Sequence, residues 1–299
     1  MKIFDCTTFY NENLMLEVRF NILNKYVHKF VVTEAKYSHS GESKKLNFDI
    51  NKFKEFKNKI IYLVIENEPD GILYEIENNT KYEKKSNMRI NSILRIAHQR
   101  NALSECLTDA NDEDYIFYSD NDEIPNFKDI TFDKEENNII IFKQKLFYYK
   151  FNLLCDWVDW FGTKGCQKKN LNSFSWLREV KAKKYPLYRL DTLFSKNKYM
   201  NVKIVNDGGW HFSQLKTPKD IEIKLLNQEH HDEYRLVKDS LPAVADLIKR
   251  KSIIYDFNAK STDFKFSKEF KLKSAKLDCI PLFLQQNIDK YREWFDFEK

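Results

Sequence analysis

Glycine and proline are scarce in this chain, six of each in 299 residues, which excludes collagen-like, linker-like and low-complexity organisation. No apolar run approaches the roughly 18 residues of a membrane-spanning helix. The opening "MKIFDCTTFYNENL" turns polar after a very short apolar stretch, so no signal peptide is expected. The five cysteines (Cys6, Cys106, Cys155, Cys166 and Cys279) are odd in number, widely spaced and without a C-x-x-C pair. That pattern argues against a disulfide framework or a zinc knuckle and for a reducing compartment. Charge of one sign is also lacking: 50 Lys and Arg against 45 Asp and Glu leave a net +5, too little to indicate nucleic acid. Basic clusters such as "KEFKNK", "KAKKY" and "FKFSKEFKLK" read as solvated faces, or as a surface that meets phosphates or an anionic membrane.

What the chain does have is aromatic residues, 15% of the total, enough for a large buried core in one domain or a domain with an extension. The first half alternates strand-like and helix-like patterns, as an α/β layer does. "KIFDCTTF" opens as a strand. "NENLMLEVRFNILNKYV" follows as a helix with Leu14, Val18 and Ile22 on one stripe and Asn11 or Asn13 as cap. "HKFVVTEA" is a second strand, and "NKIIYLVIE" a third with the continuous apolar run of a strand covered on both faces. Between residues 87 and 108, Ile90, Leu94 and Ala97 lie at helical spacing, with Arg95, Gln99 and Arg100 offset from that stripe. "EDYIFYSD" is the fourth strand. Beyond it, "NNIIIFKQKLFYYKFNLL" and "KYMNVKIVNDGGWHFS" are strand-rich, and "TPKDIEIKLLNQ" is a helix capped by Thr217 with Pro218 at its first position. "SLPAVADLIKR" and "PLFLQQNIDKYREWF" complete the helices, with no internal repeat and no linker.

Two constellations carry chemistry. "YSDNDEIP" places Asp120, Asn121, Asp122 and Glu123 at the carboxyl end of the fourth strand, where open α/β sheets have their ligand crevice. Packed carboxylates need solvent or a cation to compensate them, so the stretch is either an exposed turn stopped by Pro125 or a metal site. An EF-hand is excluded, because a loop starting at Asp120 puts Pro125 at the obligatory glycine and one starting at Asp109 puts Asp114 there. A D-x-D at a strand end can instead hold Mn²⁺ or Mg²⁺ while phosphate oxygens complete the shell. The second constellation is "NDGGWHFS": the adjacent Gly208 and Gly209 signal unusual dihedrals or a close backbone approach, His211 is a structural residue or a metal ligand, and Trp210 packs in the core or stacks on a ring. "KLLNQEHHDEY" adds Lys224, His230, His231, Asp232 and Glu233 near a helix end.

Taken together, "IFDCTTFYNENLMLEVRFNIL", "VVTEAKYSHSGESKKL", "HQRN", "YSDNDEIP", "GGWHFS", the Lys224-to-His230 spacing and the C-terminal "IPLFLQQNIDKYREWF" resemble glycosyltransferase family 17. The resemblance implies a GT-A fold with a mixed, mostly parallel central sheet flanked by helices. Residues 1–240 would form the catalytic domain and 241–299 a helical C-terminal extension packed on it. It also implies inversion at the anomeric carbon, a nucleotide-sugar donor (UDP-GlcNAc in characterised members) and a divalent cation, Mn²⁺ or Mg²⁺. Asp120, Asp122 and His211 match the family's metal positions, while Thr8, Asn11, Glu12, Glu34, Arg100, Asp120 and Trp210 fall where the donor is held. The base that inversion requires is less sharply marked. Asp232 stands near the position of a family Glu and is the first choice, with Glu123, Asp159 and Asp207 as alternatives. Animal members carry an N-terminal anchor that this sequence does not show. The expected setting is therefore cytoplasmic, at the inner face of a membrane, on a glycan or lipid-linked glycan acceptor of a microbial or viral surface. Two other classes compete: a carbohydrate-binding scaffold without turnover, and a nucleotidyltransferase, which "FDCTTFYNEN" disfavours because it has no glycine for a triphosphate loop.

Overall fold

The computed structural model describes residues 1–297 apart from 75–79, 129, 133–137, 184, 186–194, 200, 229, 260–262 and 267. Its first layer follows from the alternating pattern. β1 (Ile3–Phe9), α1 (Asn13–Leu23), β2 (Lys29–Ala35), β3 (Ile60–Ile65), α2 (Lys81–Asn101) and β4 (Tyr115–Ser119) build a parallel sheet in the order β3-β2-β1-β4. The chain then runs through β5 (Glu123–Pro125), β6 (Ile139–Tyr148), β7 (Leu153–Leu154), β8 (Trp160–Gln167), α3 (Phe174–Glu179), β9 (Val202–Val205) and β10 (Gly209–Ser213). β8 inserts antiparallel between β4 and β6. The long β6 takes β9 in parallel along its first half and β10 in parallel along its second. The result is an α/β fold with a mixed central sheet flanked by helices. Strand alternation divides its two faces: Tyr115, Phe117, Ile140 and Phe142 join the cluster under α1, while Ile116, Tyr118, Ile139 and Ile141 join the one under α3.

The rest of the chain covers the end of the sheet. α4 (Pro218–Leu225), α5 (His231–Val237) and α6 (Val244–Lys249) pack with the ribbon β11 (Ser252–Ile253) and β12 (Phe270–Lys271) on Leu146, Tyr148 and Leu153. β13 (Lys273–Ser274) pairs with β7, and α7 (Leu282–Gln286) closes on α1 through Ile280, Leu284, Tyr291 and Phe295. The region after residue 240 is thus less helical than the sequence predicts. The long C-terminal helix stops at Gln286, where Asn287 leaves helical geometry and its side-chain amide donates back to the Phe283 carbonyl at 2.8 Å. Among the described residues no helix is long and apolar enough to cross a membrane, and all five cysteines are free thiols.

Three local expectations are also corrected. The α1 cap is Glu12, which accepts from the Tyr10 and Asn11 amides at 3.1 and 2.9 Å, rather than either asparagine. β3 is an edge strand and only half-buried, since β2 is its one neighbour in the sheet. α2 begins earlier, at a Thr80–Glu83 capping box, and its polar face turns inward: Asn91, Ser92, Arg95 and Gln99 are buried while Ile90 and Ile93 are 41% and 50% exposed. Three of them are partnered: Asn91 pairs with the Leu73 backbone, Arg95 with Glu68, and Gln99 donates to the Phe9 and Thr33 carbonyls at 3.3 and 3.0 Å.

The most demanding contact is on the other side of the sheet. Arg19, from α1, is fully buried and forks onto Asp5 of β1 at 2.6 and 2.5 Å, and its third nitrogen donates to the Glu123 carbonyl of β5. Removing one partner of a buried pair strands the other charge, at a cost of about 3–5 kcal/mol. Arg19→Met should lower the unfolding free energy by that amount in urea titrations. The paired change Arg19→Met/Asp5→Leu should cost less than Arg19→Met alone, because no charge is then left unpaired.

Candidate active site

At the carboxyl ends of β1 and β4 the sheet opens into a cavity of about 330 Å³ whose lining includes Thr8, Arg100, Asp120, Asp122, Arg178, His211 and Lys224. Strand pairing assembles it. β10 lies antiparallel to β5 with His211 opposite Glu123, and the Phe212 amide donates to the Asp122 carbonyl at 2.8 Å. The two glycines make that approach feasible. Gly209 has φ +122°, and a Cβ there would come within 2.1 Å of the Ile124 carbonyl, while one on Gly208 would meet β6 backbone at 2.8 Å.

The two aspartates of the motif face different partners. Asp120 Oδ2 accepts from Arg178 Nη2 and Nε at 2.8 and 3.1 Å, its Oδ1 accepts from the Tyr118 hydroxyl at 2.9 Å, and Arg100 stands 3.6 Å away. Asp122 lies 3.2 Å from His211 Nε2 through Oδ1 and 3.4 Å from Lys224 Nζ through Oδ2. Burial alone would raise both carboxyls. The arginines at Asp120, and His211 and Lys224 at Asp122, instead hold them far below the usual range. Glu123 goes the other way: burial and the Asp120 charge raise its pKa, while its oxygens accept from Trp160 Nε1 at 2.8 Å and the Asp120 amide at 3.1 Å.

The remaining sequence-predicted residues divide. Thr8 and Arg100 line the cavity. Glu12 and Asn11 sit behind it with Lys216, whose Nζ is 3.2 Å from Glu12 Oε1 and donates to Asn11 Oδ1. Burial pushes Glu12 up, but the Lys216 and Lys224 ammoniums bring it net below its ordinary value. Glu34 clamps the loop after β2 by accepting from the Asn47 and Phe48 amides, the Tyr62 hydroxyl and Lys44. Trp210 alternates with His211 along β10 and therefore points into the core, donating to the Cys279 carbonyl at 2.8 Å. Asp232 is ion-paired to Arg89 at 2.7 Å and borders a neighbouring cavity that shares His230 with the first. Asp159 and Asp207 lie apart, paired to Lys143 and Lys145.

Several contributors carried no sequence signal. Arg178 sits in the last turn of α3 amid an ordinary basic stretch. Its backbone is fixed by Lys164, which donates to the Arg178 carbonyl and, at 2.7 Å, to that of Val180. Trp160 lies tilted against His211, ring centroids 4.5 Å apart. His39 also lines the cavity, pushed down to about 4 by burial and by the Arg100 cation, so its ring is neutral at pH 7.

The donor chemistry can be tested against a metal. Neighbouring donors in an octahedral shell with bonds of about 2.1 Å lie about 3 Å apart, and Asp122 Oδ1 and His211 Nε2 are 3.2 Å apart. The buried Nδ1 of His211 has no hydrogen-bond partner. Asp120 is turned toward the arginines, and among the described residues no group of three or more His, Cys, Asp or Glu converges on one point. The chain thus offers two donors that fit a hard divalent cation, with the remainder of a shell left to water and ligand oxygens.

The comparison with known families decides the class. The model of glycosyltransferase family 17 matches residues 1–294. This chain belongs to glycosyltransferase family 17. It is accordingly a hexosyltransferase of the N-acetylglucosaminyltransferase type, acting on a sugar donor and an acceptor. No curated protein sequence matches it. Among solved structures, the inositol-1-phosphate CTP transferase from T. maritima is similar with 14% identity and a TM-score of 0.32, over 78% of this chain and 96% of that one.

The depressed Asp122 carboxyl gives this family 17 member an acid-sensitive site. A folded pKa below the unfolded one adds stability that is present above the unfolded value and lost as pH falls toward the folded one. Between about pH 5 and pH 2, wild-type stability should therefore fall more steeply than that of Asp122→Asn, in urea titrations run at each pH.

Proposed function

We propose that the protein is a divalent-cation-dependent, inverting transferase of GT-A architecture that moves a GlcNAc-like sugar from a UDP-sugar to a hydroxyl of a glycan or lipid-linked glycan. The observation that carries this reading is the Asp122–His211 pair, 3.2 Å apart at the carboxyl end of the parallel strands and beside two arginines. Bound there, Mn²⁺ or Mg²⁺ would supply Lewis-acid stabilisation to a departing diphosphate. The charges support the same reading. Among Asp, Glu, Lys and Arg, the lining holds Arg100, Arg178 and Lys224 against Asp120 and Asp122, a one-charge positive excess that suits an anionic leaving group. Asp120 orients the two guanidinium groups toward the diphosphate, and Trp160 walls the sugar end beside His211. The strand order β3-β2-β1-β4 with β8 and β6 beyond it, and the ligand crevice at the strand ends, support GT-A architecture.

Direct displacement needs a base on the acceptor side. Glu123 has no exposed surface and both its oxygens are engaged, which suits it to positioning Trp160 and the Asp120 backbone. Asp232 stays the proposed base, since it borders the adjoining cavity across His230, where an acceptor hydroxyl would enter.

The test is donor hydrolysis and thermal shift with UDP-, GDP-, CMP- and dTDP-sugars, each with Mn²⁺, Mg²⁺ or EDTA. One UDP-sugar should give a metal-dependent shift and slow hydrolysis. In Asp122→Ala, hydrolysis should fall at least about 100-fold, the loss of about 2.7 kcal/mol of transition-state stabilisation, with the fold retained by circular dichroism. His211→Ala should move the Mn²⁺ titration to higher concentration. No shift with any donor would turn the reading toward a carbohydrate-binding scaffold.

A further inference from the structure

Lys224 stands beside the proposed cation position and cannot itself ligate a cation. It projects from the last turn of α4 with Nζ 3.4 Å from Asp122 Oδ2 and 4.0 Å from Glu12 Oε1. It lines both the candidate cavity and the adjoining one that holds Asn11, Glu12 and Lys216, so it stands in the wall between them. An ammonium and a divalent cation beside the same carboxylate repel each other strongly in so buried a place. Glu12 offers no alternative berth of full strength. Lys216 already sits 3.2 Å from its Oε1, and Oε2 is taken by two backbone amides.

We infer that Lys224 is an exchangeable counter-ion that makes the divalent cation and the nucleoside diphosphate bind together. With the site empty, its ammonium neutralises Asp122. When a cation takes that carboxylate, the ammonium needs another anion, and the diphosphate supplies one within reach of the cavity wall. Cation alone therefore binds against Lys224, whereas cation with diphosphate binds with its help. Such reciprocal coupling is a property of the pair of ligands and appears in the affinity of each for the site. The inference rests on the Asp122–His211 cation site proposed above.

Manganese titrations followed by electron paramagnetic resonance of free Mn²⁺, on the full chain with and without UDP, separate the possibilities. In the wild type, UDP should tighten Mn²⁺ at least about 10-fold. In Lys224→Gln, Mn²⁺ alone should bind about 10-fold more tightly than in the wild type, and the gain from UDP should shrink correspondingly. Lys224→Arg, which keeps the charge, should retain the wild-type pattern. Lys224→Met repeats the test should Lys224→Gln not fold. Unchanged affinity for Mn²⁺ alone in the neutral variants would overturn the inference while leaving the cation site standing. Absence of Mn²⁺ binding to the wild type, with UDP and without it, would overturn both.

Discussion

A guanidinium without access to water holds three segments of this protein together. Arg19 belongs to α1, its fork grips Asp5 of β1, and its remaining nitrogen holds the Glu123 carbonyl. Such a pair gains little over apolar packing, since both charges give up water. Its value lies in placement: the acidic segment after β4 is tied to the sheet by its backbone. β10 grips the same segment from its other side. Asp122 and His211 thus owe their separation to backbone pairing on rigid strands, and a site so built keeps its geometry when ligands leave.

The electrostatics of the crevice obey one rule, that each carboxylate has cations of its own. Asp120 has Arg178 and Arg100, Asp122 has Lys224, and Glu12 has Lys216. Without such pairing, burial would raise all three carboxyls. Glu123 shows the alternative. It too lies in the interior, but beside Asp120 and with Arg178 at only 3.6 Å, and its pKa rises.

How far the sequence revealed this depends on what each signal measures. The strand–helix alternation, the Thr217–Pro218 start of α4 and the acidic motif at the end of β4 are local, and the structure places them where the pattern puts them. Periodicity marks apolar residues as internal, whereas Arg95 and Gln99 of α2 are internal by virtue of partners distant in sequence: Glu68 for Arg95, the Phe9 and Thr33 carbonyls of β1 and β2 for Gln99. Arg178 was invisible for the same reason, its partner Asp120 being a sheet away in sequence terms. Trp210 and His211 looked equally suited to the site as neighbours in one motif, but a strand sends neighbours to opposite faces, and only the topology says which face is the crevice.

The ladder between β5 and β10 also sets the moment at which the site comes into being. Asp122 belongs to the first half of the chain and His211 to the second, and the strand that brings them together spans only Gly209–Ser213. During synthesis, a chain that has emerged through β6 already carries the acidic motif and the parallel strands around it. It has neither the imidazole nor the strand that would clip the motif from its far side. Ribosome-bound and truncated chains that end after β6 therefore carry only half of the cavity's lining, lacking Trp160, Arg178, His211 and Lys224, and completion waits for a five-residue strand to find its slot between β5 and β6.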